Sequence, residues 1–172
     1  MEKVIFNAEA IDRSLKRIAH EILEKNDNLA DVVLVGIKTR GVFLAQRLSK
    51  LIAEFEEVDV PFIALDVRGY RDDVKREAEK NTTQPEMALS DKIVILVDDV
   101  LYTGRTIRAA MEALLEYGRP RCIQLAILID RGHRELPIRA DYIGKNIPTS
   151  RLESVSVFLG EVDGEDSVII KY

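Results

Sequence analysis

From Ala8 to Asn26 the apolar residues Ile11, Leu15, Ile18, Ala19, Ile22 and Leu23 recur every three or four positions, which predicts a helix with one face on a core. Lys16, Arg17, His20, Glu21 and Glu24 fall on the other side, where solvent or a partner meets them. Val32 to Val35 is a short continuous aliphatic run that closes at Gly36, and Gly41 to Glu54 again has the helical period. Strand, glycine turn and helix in that order are the building unit of α/β folds. The unit recurs: Pro61 to Val67 predicts a strand before a polar stretch over 68–90, and Lys92 to Val97 predicts the most apolar strand. A helix from about Thr106 to Tyr117 follows it, with Gly118 as its stop. Arg121 to Ile129 predicts another buried strand, Asp130 to Arg151 an irregular basic segment, and Val155 to Val162 and Val168 to Tyr172 two short closing strands. Unbroken apolar strands alternating with helices imply a parallel, doubly wound sheet with helices on both faces.

Composition narrows the class. In 172 residues, 25 Lys or Arg stand against 30 Asp or Glu, a net charge of −5, which excludes a chain coated with basic surface. At 47% hydrophobic and 32% charged residues of mixed sign the chain is globular. A core of this size buries roughly 70% of the unfolded chain's surface, so a single domain over 1–172 needs neither disulfide nor structural metal. Cys122 is the one cysteine, and with two histidines it makes no tetrahedral zinc site. No apolar stretch approaches the ~20 residues of a membrane span. The opening Met1-Glu2-Lys3-Val4 does not begin a signal peptide, and the expectation is a cytoplasmic protein.

In an open parallel sheet, ligands bind beyond the carboxyl ends of the strands. After the apolar run Ile93 to Val97 comes Asp98-Asp99-Val100-Leu101-Tyr102-Thr103-Gly104-Arg105-Thr106, opening a helix. Two adjacent carboxylates at a strand end accept from hydroxyls or meet a metal's water shell. Thr103 to Thr106 offers backbone N–H groups, hydroxyls and a glycine at a helix N-terminus, the makings of an anion cradle. The string is neither a Walker A loop nor G-x-G-x-x-G. Gly36-Ile37-Lys38-Thr39-Arg40-Gly41, at the first strand-to-helix turn, has two cations between glycines; by itself it is as compatible with a solvated turn as with a second anion site.

The stretch Val94 to Thr106 resembles the 5-phosphoribosyl-1-pyrophosphate (PRPP) fingerprint of the type I phosphoribosyltransferases. The resemblance implies that fold, with a small hood over 130–151 and a flexible loop over 68–90. It implies that Asp98 and Asp99 hold the ribose 2′- and 3′-hydroxyls, that Thr103, Gly104, Arg105 and Thr106 hold the 5′-phosphate, and that the spacer Val100, Leu101 and Tyr102 also belongs to the substrate site. Lys38, Thr39 and Arg40 then belong to the pyrophosphate loop, with a non-proline cis peptide expected near Thr39-Arg40. Tyr102 stands where 6-oxopurine enzymes of the family carry an aspartate general base, and a phenol with pKa about 10 is a poor base at neutral pH.

Together with Tyr70-Arg71-Asp72-Asp73, Gly118-Arg119-Pro120, Asp130 to Arg139 and Asp141 to Arg151, these motifs look like the pyrimidine operon attenuation regulators, which are uracil phosphoribosyltransferase homologues that also bind RNA. The chain departs from their pattern between Asp73 and Lys92, which is shorter and lacks a proline lead into the fingerprint strand, and at Lys16, where relatives carry a hydroxyl. The implied reaction is uracil plus PRPP giving UMP and pyrophosphate, with Mg²⁺ carried by PRPP and water near Asp98 and Asp99. Asp98, Asp99 and Arg40 are the expected catalytic residues, Arg71 closes over PRPP, and Arg131 faces uracil unless it instead pairs with Asp130 or Glu135. Lys16, Arg17 and His20 on the first helix and Arg134, Arg139, Lys145 and Arg151 on the basic segment are, taken alone, solvated faces. The resemblance makes them a surface for the leader mRNA of a pyrimidine operon, bound when UMP fills the site. It also implies a homodimer, open to further assembly. The net charge does not oppose this, because residues 121–151 carry six basic and three acidic side chains while 152–172 carry one and five. A salvage phosphoribosyltransferase without RNA binding is the alternative, and a PRPP sensor without catalysis a third.

Overall fold

The structure, a computed structural model, describes residues 1–70 and 87–172; Arg71 and most of the expected 68–90 loop lie outside the described residues. The main sheet has five parallel strands in the order β3 (Phe62–Leu65), β2 (Val32–Ile37), β4 (Ile93–Leu101), β5 (Cys122–Asp130), β6 (Tyr142–Asn146). Side chains alternate along a strand, and the alternation sorts the core into two layers. Val32, Leu34, Ile95, Val97, Ala126 and Leu128 face α1 (Ala8–Lys25) and α2 (Arg40–Glu56). Val33, Val35, Val94, Leu96, Leu125 and Ile127 face α3 (Arg105–Leu114), which buries Ile107, Ala109, Ala110, Ala113 and Leu114. The doubly wound expectation therefore holds.

Local chemistry sets the ends of α1. The Asn7 side chain accepts from the Ala10 N–H at 2.9 Å, Glu9 sits in the first turn and Lys25 in the last, each on the side the helix dipole favours. At its far end a buried polar trio joins three elements. Asn26 donates to Gln124 Oε1 at 3.2 Å and to the Tyr142 hydroxyl at 3.1 Å, Gln124 returns a bond to Asn26 Oδ1 at 2.9 Å, and the Tyr142 hydroxyl donates to Gln124 Oε1 at 2.6 Å. Burial pushes the Tyr142 phenol up to about 12, so it remains a donor.

Several sequence expectations change. Glu2–Phe6 forms a strand, β1, which pairs antiparallel with β8 (Ser167–Lys171); β8 also pairs with β7 (Ser154–Phe158) in a separate three-stranded sheet. Phe6, Val157, Leu159 and Val168 pack this sheet onto the core layer shared with α1 and α2. The strand expected over Val155 to Val162 stops at Phe158, because Gly160–Asp163 makes a single helical turn, α4. The segment expected to be irregular from Asp130 to Arg151 contains β6, whose exposed Lys145 and Asn146 mask its strand pattern. No helix among the described residues is long and apolar enough to cross a membrane.

Candidate functional site

Strand register brings the sequence motifs together. Gly36 on β2 lies opposite Val97 on β4, and Leu101 on β4 opposite Asp130 on β5, so the Gly36–Gly41 turn, the acidic pair and the 130–138 segment adjoin at one edge of the sheet. β4 runs past the expected Val97 through the acidic pair to Leu101. Asp98 is buried and accepts from the Asp99 N–H at 2.9 Å; Asp99 is half-buried and accepts from the Val100 N–H at 2.7 Å. A carboxylate has about four lone-pair sites, so one local bond does not exhaust Asp99 as a hydroxyl acceptor.

An open cleft of 380 Å³ follows the pair, lined by Val100 to Ile107 and Glu135. Thr103 Oγ1 accepts from the Arg105 N–H at 3.3 Å, and Gly104 takes φ +93°, a conformation that favours glycine, to start α3. The opposite wall is laced to this loop. Arg131 N–H donates to Leu101 O at 3.1 Å, and Glu135 and Leu136 N–H to Thr103 O at 2.9 and 3.2 Å. Arg134 donates to Tyr102 O at 2.7 Å, Ile138 O at 2.9 Å and Asp130 Oδ2 at 2.6 Å. Glu135, the cleft's one acidic lining residue, pairs with Arg105 at 3.0 Å. Walls held this way keep the N-terminus of α3 open to an anion.

The Gly36–Gly41 turn carries a cis peptide at Lys38-Thr39, the bond adjoining Thr39-Arg40 near which it is expected; Thr39 is the N-cap of α2 and Arg40 its first residue. Its glycines are demanded by close approach: a Cβ on Gly36 would lie 2.4 Å from Val42 Cα, and one on Gly41 2.3 Å from the Val97 oxygen. Lys38 and Arg40, expected to act together, diverge. Lys38 lines a small pocket with Asp66, Tyr70 and Glu116. Arg40 donates to Asp163 on α4 through Nε at 3.2 Å and Nη2 at 2.7 Å. Those bonds raise the Arg40 pKa and lower that of Asp163, and the nearby Asp99 carboxylate raises Arg40 further through space.

The family described as phosphoribosyl transferase domain matches residues 3–158. Proteins named bifunctional protein PyrR are similar over nearly the full length: that of Enterococcus faecalis is 54% identical over 171 residues, covering 98% of this chain and 96% of that protein. The Brevibacillus brevis protein is 55% identical over 174 residues, covering 99% and 97%. The chain belongs to the phosphoribosyl transferase family, among the bifunctional PyrR proteins. Solved hypoxanthine phosphoribosyltransferases share the fold. That of Trypanosoma cruzi superposes with a TM-score of 0.73 at 19% identity, covering 98% of this chain and 95% of that one. That of Staphylococcus aureus does so at 0.72 and 22%, covering 97% and 90%.

On this phosphoribosyltransferase scaffold the remaining expected residues fall as follows. Arg131 is buried; its Nε donates to Thr149 Oγ1 at 3.2 Å and its Nη2 to the carbonyls of Ser150 and Glu153 at 3.2 and 2.7 Å, while its guanidinium lies 3.9 Å from the centre of the Tyr102 ring. The acids considered as its partners pair elsewhere, Asp130 with Arg134 and Glu135 with Arg105. Arg17 donates to the β6 carbonyls of Ile143 and Gly144 at 3.1 and 2.5 Å, which brings this one α1 cation to the strand that carries Lys145, whereas Lys16 and His20 lie on the α2 side of α1. Lys16 is exposed and paired with Asp12, and His20 stacks on Phe55 with ring centres 4.1 Å apart. Arg139 and Arg151 are exposed, whereas Arg134 is half-buried with its guanidinium turned inward.

Residues that sequence reasoning passed over hold the site's other flank. Asp163 fixes Arg40, and Arg47 forks onto Glu161 (2.8 and 2.6 Å) and Asp166 (2.6 and 2.8 Å). All three acids lie in the acidic tail, more than 100 positions from their arginines, and no local spacing announces them.

Proposed function

We propose that the chain is a cytoplasmic, homodimeric uracil phosphoribosyltransferase that also binds the leader RNA of a pyrimidine operon when UMP occupies its site, favouring transcription termination. The observation that carries the reading is the convergence of the acidic pair, the Thr103–Thr106 cradle and the Gly36–Gly41 turn on one sheet edge, in a chain more than half identical to bifunctional PyrR proteins.

In this reading Asp98 and Asp99 accept from the ribose hydroxyls, and the N–H and hydroxyl groups of Thr103 to Thr106 donate to the 5′-phosphate. Arg40, at the N-terminus of α2, meets the pyrophosphate. The bond from the anomeric carbon to pyrophosphate oxygen breaks, the bond from that carbon to uracil N1 forms, and the N1 proton passes to the departing pyrophosphate or to water. Positive charge developing on the sugar and negative charge on the leaving group meet carboxylates and guanidinium already in place. Aligning two reactants supplies on the order of 7–11 kcal/mol of barrier reduction, so Tyr102 in place of an aspartate base is no obstacle. Among the described residues no three His, Cys, Asp or Glu side chains cluster to hold a metal, and an oxygen-rich carboxylate pair suits Mg²⁺ that keeps its waters and arrives on PRPP. Such an ion would supply charge neutralisation of the leaving group.

Uracil is read beneath the 130–151 segment. With Nε and Nη2 held by Thr149, Ser150 and Glu153, Arg131 contributes a fixed plane over Tyr102. The RNA surface comprises Arg17 and Lys145 where α1 meets β6, Lys16 and His20 on the α2 side of α1, and exposed Arg139 and Arg151, supplying cations for phosphates and a planar group for splayed bases. An electrophoretic shift with a pyrimidine-operon leader, run with and without UMP beside an assay of UMP formation, tests both halves. The expected result is turnover and a UMP-dependent shift; turnover without a shift would leave the salvage enzyme.

A further inference from the structure

We propose that Asp163 is a positioning residue for the transferase reaction: its carboxylate forks onto Arg40 and sets the guanidinium for pyrophosphate. The inference rests on the uracil phosphoribosyltransferase reading above and assigns a role to α4, which lies beyond the 3–158 region matched by the family.

Arg40 stands between two acids. It makes two bonds to Asp163, and the Asp99 carboxylate lies near enough for its charge to act on it. A two-bond fork on a fixed carboxylate holds the guanidinium in one orientation, since bidentate arginine–carboxylate pairs combine strength with defined geometry.

Asp163 is itself fixed. Its Oδ2 accepts from the Leu159 N–H at 2.8 Å, its own N–H donates to Leu159 O at 2.7 Å, and Leu159 is fully buried. Holding the hairpin to α2 does not require Asp163, because Arg47, seven positions after Arg40 and so on the same face of the helix, already ties the hairpin with four bonds. With that tie present, the Arg40 bond is left with the work of orientation.

The test is steady-state UMP formation by the full chain, with KM measured separately for PRPP and for uracil. Asp163→Asn keeps an oxygen for Leu159 but loses the charged fork. Its KM for PRPP is expected to rise about tenfold, the usual effect of losing a charge-assisted bond, with KM for uracil unchanged. Asp163→Glu, which restores the charge one methylene further out, recovers part of the loss. In an Arg40→Ala background Asp163→Asn adds nothing further, the signature of two groups acting as one. Glu161→Gln, which loosens the neighbouring tie, lowers Tm and leaves KM for PRPP alone. An unchanged KM for PRPP in Asp163→Asn, or an additive loss in the Arg40→Ala background, overturns the assignment while normal turnover of the unmodified chain leaves the transferase reading intact. If the unmodified chain forms no UMP, both fall. Should Asp163→Asn fail to fold, Asp163→Ser, which keeps an oxygen for the Leu159 N–H and removes the charge, takes its place, with an unchanged KM for PRPP again the overturning result.

Discussion

Replacing Gly41 by alanine places one methyl group at the seam between the two halves of the site. The new Cβ would stand 2.3 Å from the Val97 carbonyl oxygen and 3.3 Å from Asp98 Cα. Relief to ordinary contact needs roughly 1 Å of separation. The obstacle is backbone on a central strand paired on both sides, so no side chain can swing aside. Either the Gly36–Gly41 turn backs away from β4 or β4 moves with Asp98; both displace Arg40 relative to the acidic pair. Overpacking of this kind costs about 1–3 kcal/mol of stability. A 1 Å misplacement of catalytic groups costs about 100-fold in rate. Thermal melts and UMP-formation kinetics on Gly41→Ala read the two effects, and Gly160→Ala is the matched control, since its Cβ would meet nothing nearer than Asp166 Oδ1 at an ordinary 3.5 Å. Native-like kcat/KM and Tm in Gly41→Ala would show that this seam is not the rigid junction described.

Asp99→Asn keeps the size of the side chain and halves its acceptor capacity; UMP formation should fall about 100-fold or more, and retained turnover would remove the acidic pair from the reaction. Gln124→Leu leaves the buried Asn26 amide and Tyr142 hydroxyl without their shared acceptor, a loss of about 2–3 kcal/mol measurable by urea denaturation. Arg134→Ala strands Asp130 and two carbonyls and should cost about 2–3 kcal/mol, whereas exposed Arg139→Ala should weaken RNA binding with Tm unchanged, a contrast read by melts and shift assays. Asp163, Glu161 and Asp166 are all held below their ordinary values of 3.8, 4.5 and 3.8 by Arg40 and Arg47. Depressed carboxylates stabilise the fold fully above the ordinary range and lose that contribution as pH falls through the folded values. Tm should therefore drop steeply below about pH 4.5, and Arg47→Ala should flatten the slope; parallel curves would refute the linkage.

The parts of this site that were legible in the sequence are those whose chemistry is contiguous. Asp98 to Thr106 places acceptors, anion donors and a helix start within nine residues, and the period of apolar positions around them identifies the strand and helix that hold them. Where an element is only half covered, the pattern fades. β6 reads Tyr-Ile-Gly-Lys-Asn because its last two residues are exposed, and β1 has only Phe6 buried because it pairs in a sheet covered on one face.

Charge misleads for a related reason. The basic excess over 121–151 counts every cation alike, yet Arg121 is paired to Asp31, Arg131 is buried over Tyr102, and Arg134 spends its guanidinium on Asp130 and two carbonyls. What that segment presents outward is Arg139, Lys145 and Arg151. Conversely the acidic tail turns three of its carboxylates onto Arg40 and Arg47 of α2, the helix that follows the Gly36–Gly41 turn. A pairing across more than 100 residues leaves no periodicity, so a count of charges cannot tell a cation that faces solvent from one that is spent inside the fold. The structure makes that distinction, turning Arg134 into a brace between Asp130 and the Tyr102 loop and Asp163 into the partner of Arg40.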